Sequence, residues 1–276
     1  MRVEARGLTF EVRTGGPEGG EPVLLLHGFP QHGGEWDEVT PALHDAGLRT
    51  YALDQRGYSP GARPTEVSAY RMPELVADAV AVLDALGVDA AHVVGHDWGA
   101  AVGWGLAAGH PERVRTLTAV SVPHPAAFGQ ALAHDRQQKA RSSYMVLFRQ
   151  RGTAEKVLLA GRAAVLRRMI SGLGDPRRVD RYAEPMREPG ALTAALNWYR
   201  AMSNVDLGRI GTVSVPTTYV WSDKDFAIGR TAAEACARHV AGEYRFVELA
   251  GVTHWIPDRA PELLAEAILA RVRGLA

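Results

Sequence analysis

A chain of 276 residues with 46% hydrophobic and 22% charged residues has the size of one α/β domain carrying an insertion and the balance of a folded, soluble protein rather than a disordered or membrane-spanning one. Lys+Arg and Asp+Glu each number 31, so no overall field draws the chain to nucleic acid or an anionic membrane, and a small molecule is the expected partner. The lone cysteine, Cys236, excludes an internal disulfide; it stands in no motif and reads as a structural residue.

The N-terminus, MRVEARGLTFEVR, lacks the apolar run of a signal peptide. No later run approaches the roughly 18 residues of a membrane helix, so a cytoplasmic location is expected. Only Lys139, Lys156 and Lys224 are lysines, and with the many alanines this points to a GC-rich bacterial genome. Both a monomer and a homodimer fit the sequence.

In chain order, Leu8 to Val12 reads as a strand, Gly15 to Gly20 as a hairpin turn and Val23 to His27 as a buried strand. A helix over Glu35 to Ala46 precedes a strand over Arg49 to Asp54, and Pro73 to Leu86 has helical spacing. Ala91 to Gly95 is a strand that runs into a Gly/Ala-rich helix, Trp98 to Ala108, followed by a strand over Val114 to Val122. From Pro123 to Asp206 no strand signal is convincing, and the stretch reads as helices broken near Gly174 to Pro176 and Pro185 to Gly190. Alternation resumes with strands over Thr217 to Trp221 and Tyr244 to Leu249 and helices over Thr231 to Val240 and Pro261 to Val272. The order predicts one mostly parallel sheet with helices on both faces, built from residues 1–122 and 209–276, interrupted by a helical lid over 123–208. Between Pro125 and Leu207 there are 14 basic residues against 7 acidic ones; solvated helix faces account for this more simply than an anionic substrate.

The chemistry concentrates at strand ends. Gly95-His96-Asp97-Trp98-Gly99 has the glycine–x–nucleophile–x–glycine spacing of a tight strand-turn-helix that lifts the central side chain out, with an acid where hydrolases usually carry Ser. An Asp before a helix is also a common N-cap, but both glycines and the strand-to-helix context favour catalysis. The helix N-terminus is expected to hold the Asp97 carboxyl below its ordinary value. A carboxylate displaces a leaving group from saturated carbon to give an ester, whose hydrolysis then needs a base and an oxyanion site.

His27-Gly28-Phe29-Pro30 follows the second strand, where α/β-hydrolases form an oxyanion loop, and the expected donors are the backbone N–H groups of Phe29 and Trp98. His27 and Pro30 themselves read as turn residues, with a possible cis bond before Pro30. Thr253-His254-Trp255 follows the last strand, which makes His254 the expected base, and Asp225 is chosen over Asp223 to orient it. The segment Ser121-Val122-Pro123-His124-Pro125 offers no alternative carboxylate, the histidines have no metal-ligand spacing, and no cofactor or metal is expected.

Taken together, HGFP, DQRGYSPGARP, GHDWG, NWYR, DKDF and THW resemble the epoxide hydrolases of the α/β-hydrolase superfamily from Pro22 onward. The resemblance implies an eight-stranded sheet and two lid tyrosines that bind the epoxide oxygen and protonate it. Tyr199 in Asn197-Trp198-Tyr199-Arg200 matches one closely, and Tyr144 in Ser143-Tyr144-Met145-Val146-Leu147-Phe148 matches the other more loosely. A phenol of pKa about 10 suits that role because it is protonated at neutral pH. The alternatives are a haloalkane or haloacid dehalogenase using the same Asp, or a non-catalytic binding protein. Fluoroacetate dehalogenases carry arginines where this chain has Trp98 and Ala101, and haloalkane dehalogenases carry Asn or Glu where it has Phe29. Epoxide and water are therefore the expected reactants.

Overall fold

The computed structural model describes residues 1–203 and 208–275. Eight strands form one sheet in the order β1-β2-β4-β3-β5-β6-β7-β8. They are β1 (Arg2–Ala5), β2 (Leu8–Gly15), β3 (Glu21–Leu26), β4 (Leu48–Asp54), β5 (Ala91–His96), β6 (Val114–Val120), β7 (Thr217–Lys224) and β8 (Tyr244–Thr253). β1–β2 and β2–β4 are antiparallel, and all later pairs are parallel. The mostly parallel sheet is as expected, with two differences at its edge. β1 is too short to announce itself in the sequence, and it pairs with β2 as the hairpin of the sheet. The Gly15 to Gly20 turn is not a hairpin turn, because β4 lies between β2 and β3.

Central strands are buried on both faces, as parallel strands covered by helices must be. Leu24 and Leu26 face one core with Val93, Leu117, Tyr219 and Trp221, while Val23 and Leu25 face the other with Val94, Val120 and Val220. The first core is closed by α2 (Met72–Ala85) and α3 (Trp98–Gly109). The second is closed by α1 (Thr40–Asp45) and the C-terminal helix Pro261–Val272. The single helix expected over Glu35 to Ala46 is instead a 3-10 turn, Gly33–Trp36, followed by α1, with Pro41 in the first turn of α1 where its missing N–H costs nothing. Thr231 to Val240 likewise divides into Arg230–Ala235 and a 3-10 turn, Cys236–His239.

Between β6 and β7 lie α4 (Pro125–His134), α5 (Arg136–Arg141), α6 (Tyr144–Phe148), α7 (Thr153–Met169), α8 (Pro176–Ala183) and α9 (Ala191–Ala201), with no strand among the described residues. The predicted end of this helical stretch, Asp206, lies outside the described residues. Its basic excess is met by acids: Arg178 pairs with Glu38, Arg181 with Asp37, Arg200 with Glu155, and Arg167 with Asp180 and Glu184. No described helix is long and apolar enough to cross a membrane.

One buried ion pair fixes the loop after β4. Arg56 donates from Nε and Nη2 to the two oxygens of Asp78 on α2, both at 2.6 Å, with both side chains almost wholly buried. Asp78→Ala leaves that guanidinium without its bidentate partner, and a loss of about 3–5 kcal/mol is expected in denaturant unfolding.

Candidate active site

The Asp97 turn sits where β5 ends. β5 is buried at every position and passes into α3 through Asp97, whose backbone takes φ 51°, a left-handed value that non-glycine residues adopt only where their surroundings hold them. The flanking glycines serve close approach rather than unusual φ: a Cβ on Gly99 would stand 2.0 Å from the Leu26 carbonyl oxygen, and one on Gly95 2.2 Å from that of Gly99. α3 is thus pressed onto the end of β3. The Asp97 side chain makes no capping bond to its helix, which removes the N-cap reading. A Cβ on Gly28 would likewise lie 2.3 Å from the Asp97 Cβ. That approach brings the Phe29 N–H to Asp97 Oδ1 at 3.0 Å, leaving Oδ2 turned toward His254.

His27 and Pro30 have structural roles. The Gln55 N–H donates to His27 Nε2 at 3.0 Å and the Gln55 side chain to its carbonyl at 2.6 Å, and the Phe29–Pro30 peptide is cis.

His254 follows β8, and its Nε2 is 3.6 Å from Asp97 Oδ2, too long for a direct hydrogen bond. Its Nδ1 lies 3.1 and 3.0 Å from the two oxygens of Asp225 and 2.9 Å from Ser121 Oγ. Asp225 Oδ1 also accepts from the backbone of Ala227 at 2.8 Å and of Ile228 at 3.0 Å. Asp223 instead accepts from Gly251 N at 2.6 Å and is the outer of the two acids. α5 braces the acid loop from above, since Gln138 donates to the Ala227 carbonyl at 2.7 Å and accepts from Gly229 N at 2.8 Å.

Electrostatics departs from expectation at Asp97. Burial lifts its carboxyl above the ordinary carboxylate value despite the His254 charge and the Phe29 and Trp98 amides that favour the anion. The helix N-terminus is outweighed because the group, 8% exposed, has left bulk water. Burial also pulls His254 down, but the Asp225 charge, its hydrogen bond and the Asp97 charge together raise it above 6.5. Asp225 is opposed by its own burial yet ends below the usual carboxylate value through His254, Ser121 and the Ile228 amide.

α6 and α9 carry Tyr144 and Tyr199 over Asp97, with ring centroids 6.2 Å apart. Tyr199 is clamped edge-on against Phe29, Phe148 and Trp98. Burial raises both phenols above their ordinary value, so both are protonated at neutral pH. Two small cavities meet at Asp97, Tyr144 and Tyr199. One, of about 40 Å³, is lined further by Trp98, Ala101, Val122, Pro125, Phe128, Met145, Met202, Ala227 and Ile228. The other, of about 20 Å³, is lined by Phe29, Phe148, Met169, Ile170, Phe226, His254 and Trp255. No Lys or Arg lines either cavity among the described residues.

Two contacts carried no sequence signal. Glu35 is wholly buried, with Oε2 at 3.2 Å from His96 Nδ1, and His96 Nε2 is 3.0 Å from the His254 carbonyl. Burial lowers His96 to about 3, so it is neutral; its Nε2–H donates to the carbonyl and Nδ1 must accept. Glu35 then supplies the shared proton as a neutral acid, in keeping with the rise that burial imposes on its carboxyl. The second is Ser121, which offers a hydroxyl where the sequence offered no carboxylate. Cys236 is buried against His124, and burial pushes its thiol up to about 12, which does not suit a nucleophile. Among the described residues no group of three or more His, Cys, Asp or Glu is placed to hold a metal ion.

Comparisons with known proteins agree with this architecture. The family model described as the alpha/beta hydrolase fold matches residues 21–261. A Bacillus subtilis protein named AB hydrolase superfamily protein YfhM is 35% identical over 275 residues, spanning 97% of this chain and 95% of the relative. Epoxide hydrolase A of Mycobacterium tuberculosis is 32% identical over 312 residues, spanning 99% and 97%. The crystal structure of epoxide hydrolase A from Mycobacterium thermoresistibile superposes with a TM-score of 0.86 at 29% identity, covering 100% of this chain and 98% of that one. This chain belongs to the alpha/beta hydrolase fold family, and its relatives there include proteins named as epoxide hydrolases.

Proposed function

We propose that the protein is an epoxide hydrolase that converts an epoxide to a vicinal diol through an ester on Asp97. The observation that carries the reading is the convergence of two protonated phenols on the carboxylate at the meeting point of both cavities. The names of its relatives support the same reaction. Asp97 Oδ2, the oxygen not held by the Phe29 amide, attacks a ring carbon while Tyr144 and Tyr199 bind the departing oxygen and one of them protonates it. His254, oriented by Asp225, then takes a proton from water as it attacks the ester carbonyl. The Phe29 and Trp98 amides receive the oxyanion on Oδ1. Esterification erases the Asp97 charge, one of the groups that hold His254 up, so the imidazole becomes a freer base when one is needed. Apolar walls without a cation favour a neutral, apolar epoxide over a carboxylate-bearing substrate.

The domain division assigned to this reaction is a core of 1–122 and 209–276 and a lid of 123–208 that supplies both phenols. A cytoplasmic, bacterial setting and a monomer or homodimer complete the proposal.

Single-turnover reaction in ¹⁸O-water tests the ester route. The first diol formed is expected to carry oxygen from Asp97, and solvent oxygen in that first diol contradicts the route. Halide release from matched haloalkanes without diol formation would assign the dehalogenase reaction instead. A pH dependence also follows. Ring opening needs ionised Asp97, raised from 3.8, and ester hydrolysis needs neutral His254, which starts above 6.5 and which Asp225 still holds up once the Asp97 charge is gone. Both kcat/KM and kcat are therefore expected to fall toward acid, with the kcat limb at the higher pH when ester hydrolysis is rate-limiting. Coincident limbs would contradict the separation of roles.

A further inference from the structure

Ser121 stands just past the end of β6 with φ 67°, an uncommon backbone for a residue with a side chain. β7 holds it there, because Ser121 N donates to the Val220 carbonyl at 2.8 Å and the Tyr219 hydroxyl donates to the Ser121 carbonyl at 2.5 Å. The result is a fully buried hydroxyl whose Oγ is 2.7 Å from Asp225 Oδ2 and 2.9 Å from His254 Nδ1. The ionised carboxylate has no proton to give, so the hydroxyl donates to Oδ2, and its remaining lone pair faces the Nδ1–H that Asp225 also accepts. Asp225 Oδ1 is fixed by the Ala227 and Ile228 amides, while Oδ2 has Ser121 as its second anchor.

We propose that Ser121 is a positioning residue: its hydroxyl locks the Asp225 carboxylate and the His254 ring together so that Nε2 faces the Asp97 ester. The inference rests on the epoxide hydrolase reading. Ser121 lines neither cavity, so it bears on ester hydrolysis and not on ring opening.

Ser121→Ala is expected to slow ester hydrolysis about 10-fold in single turnover while ester formation stays within about 2-fold, because only the base loses its fixed orientation. Ser121→Gly removes the hydroxyl and relieves the φ constraint. The same kinetic loss without a loss of stability is expected, which separates the hydroxyl from the backbone. A carboxylate at this position is within reach of Nδ1, so Ser121→Asp in an Asp225→Asn background is expected to recover at least about 10-fold over Asp225→Asn alone. His254 titration followed by NMR needs no epoxide, and Ser121→Ala is expected to move it by at least about half a pH unit, the size of one hydrogen bond. If Ser121→Ala and Ser121→Gly leave both ester hydrolysis and the titration as in wild type, or slow both chemical steps equally with an unmoved titration, the proposal is overturned. Wild type that titrates as described but forms no ester removes the epoxide reading instead.

Discussion

His254→Gln is expected to reduce turnover by about 10⁴-fold, equivalent to about 5.5 kcal/mol of transition-state stabilisation, while ring opening continues. The asymmetry follows from placement. The imidazole faces Asp97 Oδ2 at 3.6 Å, whereas the proposed partners of the departing epoxide oxygen, Tyr144 and Tyr199, line a cavity with Asp97 that His254 does not line. His96, the other imidazole near the elbow, is committed to Glu35 and the His254 carbonyl and offers no substitute base. With water activation lost, the ester should persist. Intact-mass measurement after mixing with styrene oxide should show close to one adduct per chain, located by peptide mapping on Asp97. Normal diol production by this variant, with no adduct, would remove His254 from the mechanism.

The second large effect belongs to the phenols. Tyr199→Phe and Tyr144→Phe are each expected to slow ester formation by about 10–100-fold, and the double variant by about 10³–10⁴-fold, because the alkoxide then leaves without a proton donor. Phe preserves the packing: Tyr199 is held by ring contacts to Phe29, Phe148 and Trp98, and Tyr144 touches Phe148 and Phe226. Melting temperatures should therefore stay close to wild type. The readout is the burst rate of ester formation. Undiminished bursts in the double variant would mean that the ring oxygen is protonated from elsewhere.

The difference between these variants and Asp78→Ala is one of kind. Arg56 and Asp78 bind each other and line neither cavity at Asp97, so their loss is read in unfolding. Asp97, His254 and the two phenols converge on one point between the sheet and the helices above it, so theirs is read in separate chemical steps.

Much of this arrangement is local in the chain. Alternating buried strands and helices, the glycines around Asp97 and the placement of His254 after the last strand are short-range signals, and the sheet follows them. β1, with four residues, carries too little pattern to stand out, and the Gly15 to Gly20 segment contains turn residues whether or not its flanking strands pair. Pro41 marks a helix start, yet whether the helix begins there or earlier depends on how Trp36 and Val39 pack under the sheet.

By itself the sequence determined the alternating architecture and the strand-to-helix elbow at Asp97, because each depends on residue type and near neighbours, whereas only the resemblance to epoxide hydrolases singles out Tyr144 and Tyr199. Tertiary structure put Asp225, the acid chosen from the sequence, against His254, and it alone decided that burial lifts the Asp97 carboxyl against its helix, that Ser121 reaches the His254 ring, and that Glu35 reaches His254 only through His96. The physical reason is that desolvation and hydrogen-bond partnership are set by residues distant in the chain, and no local pattern records which buried group will face which.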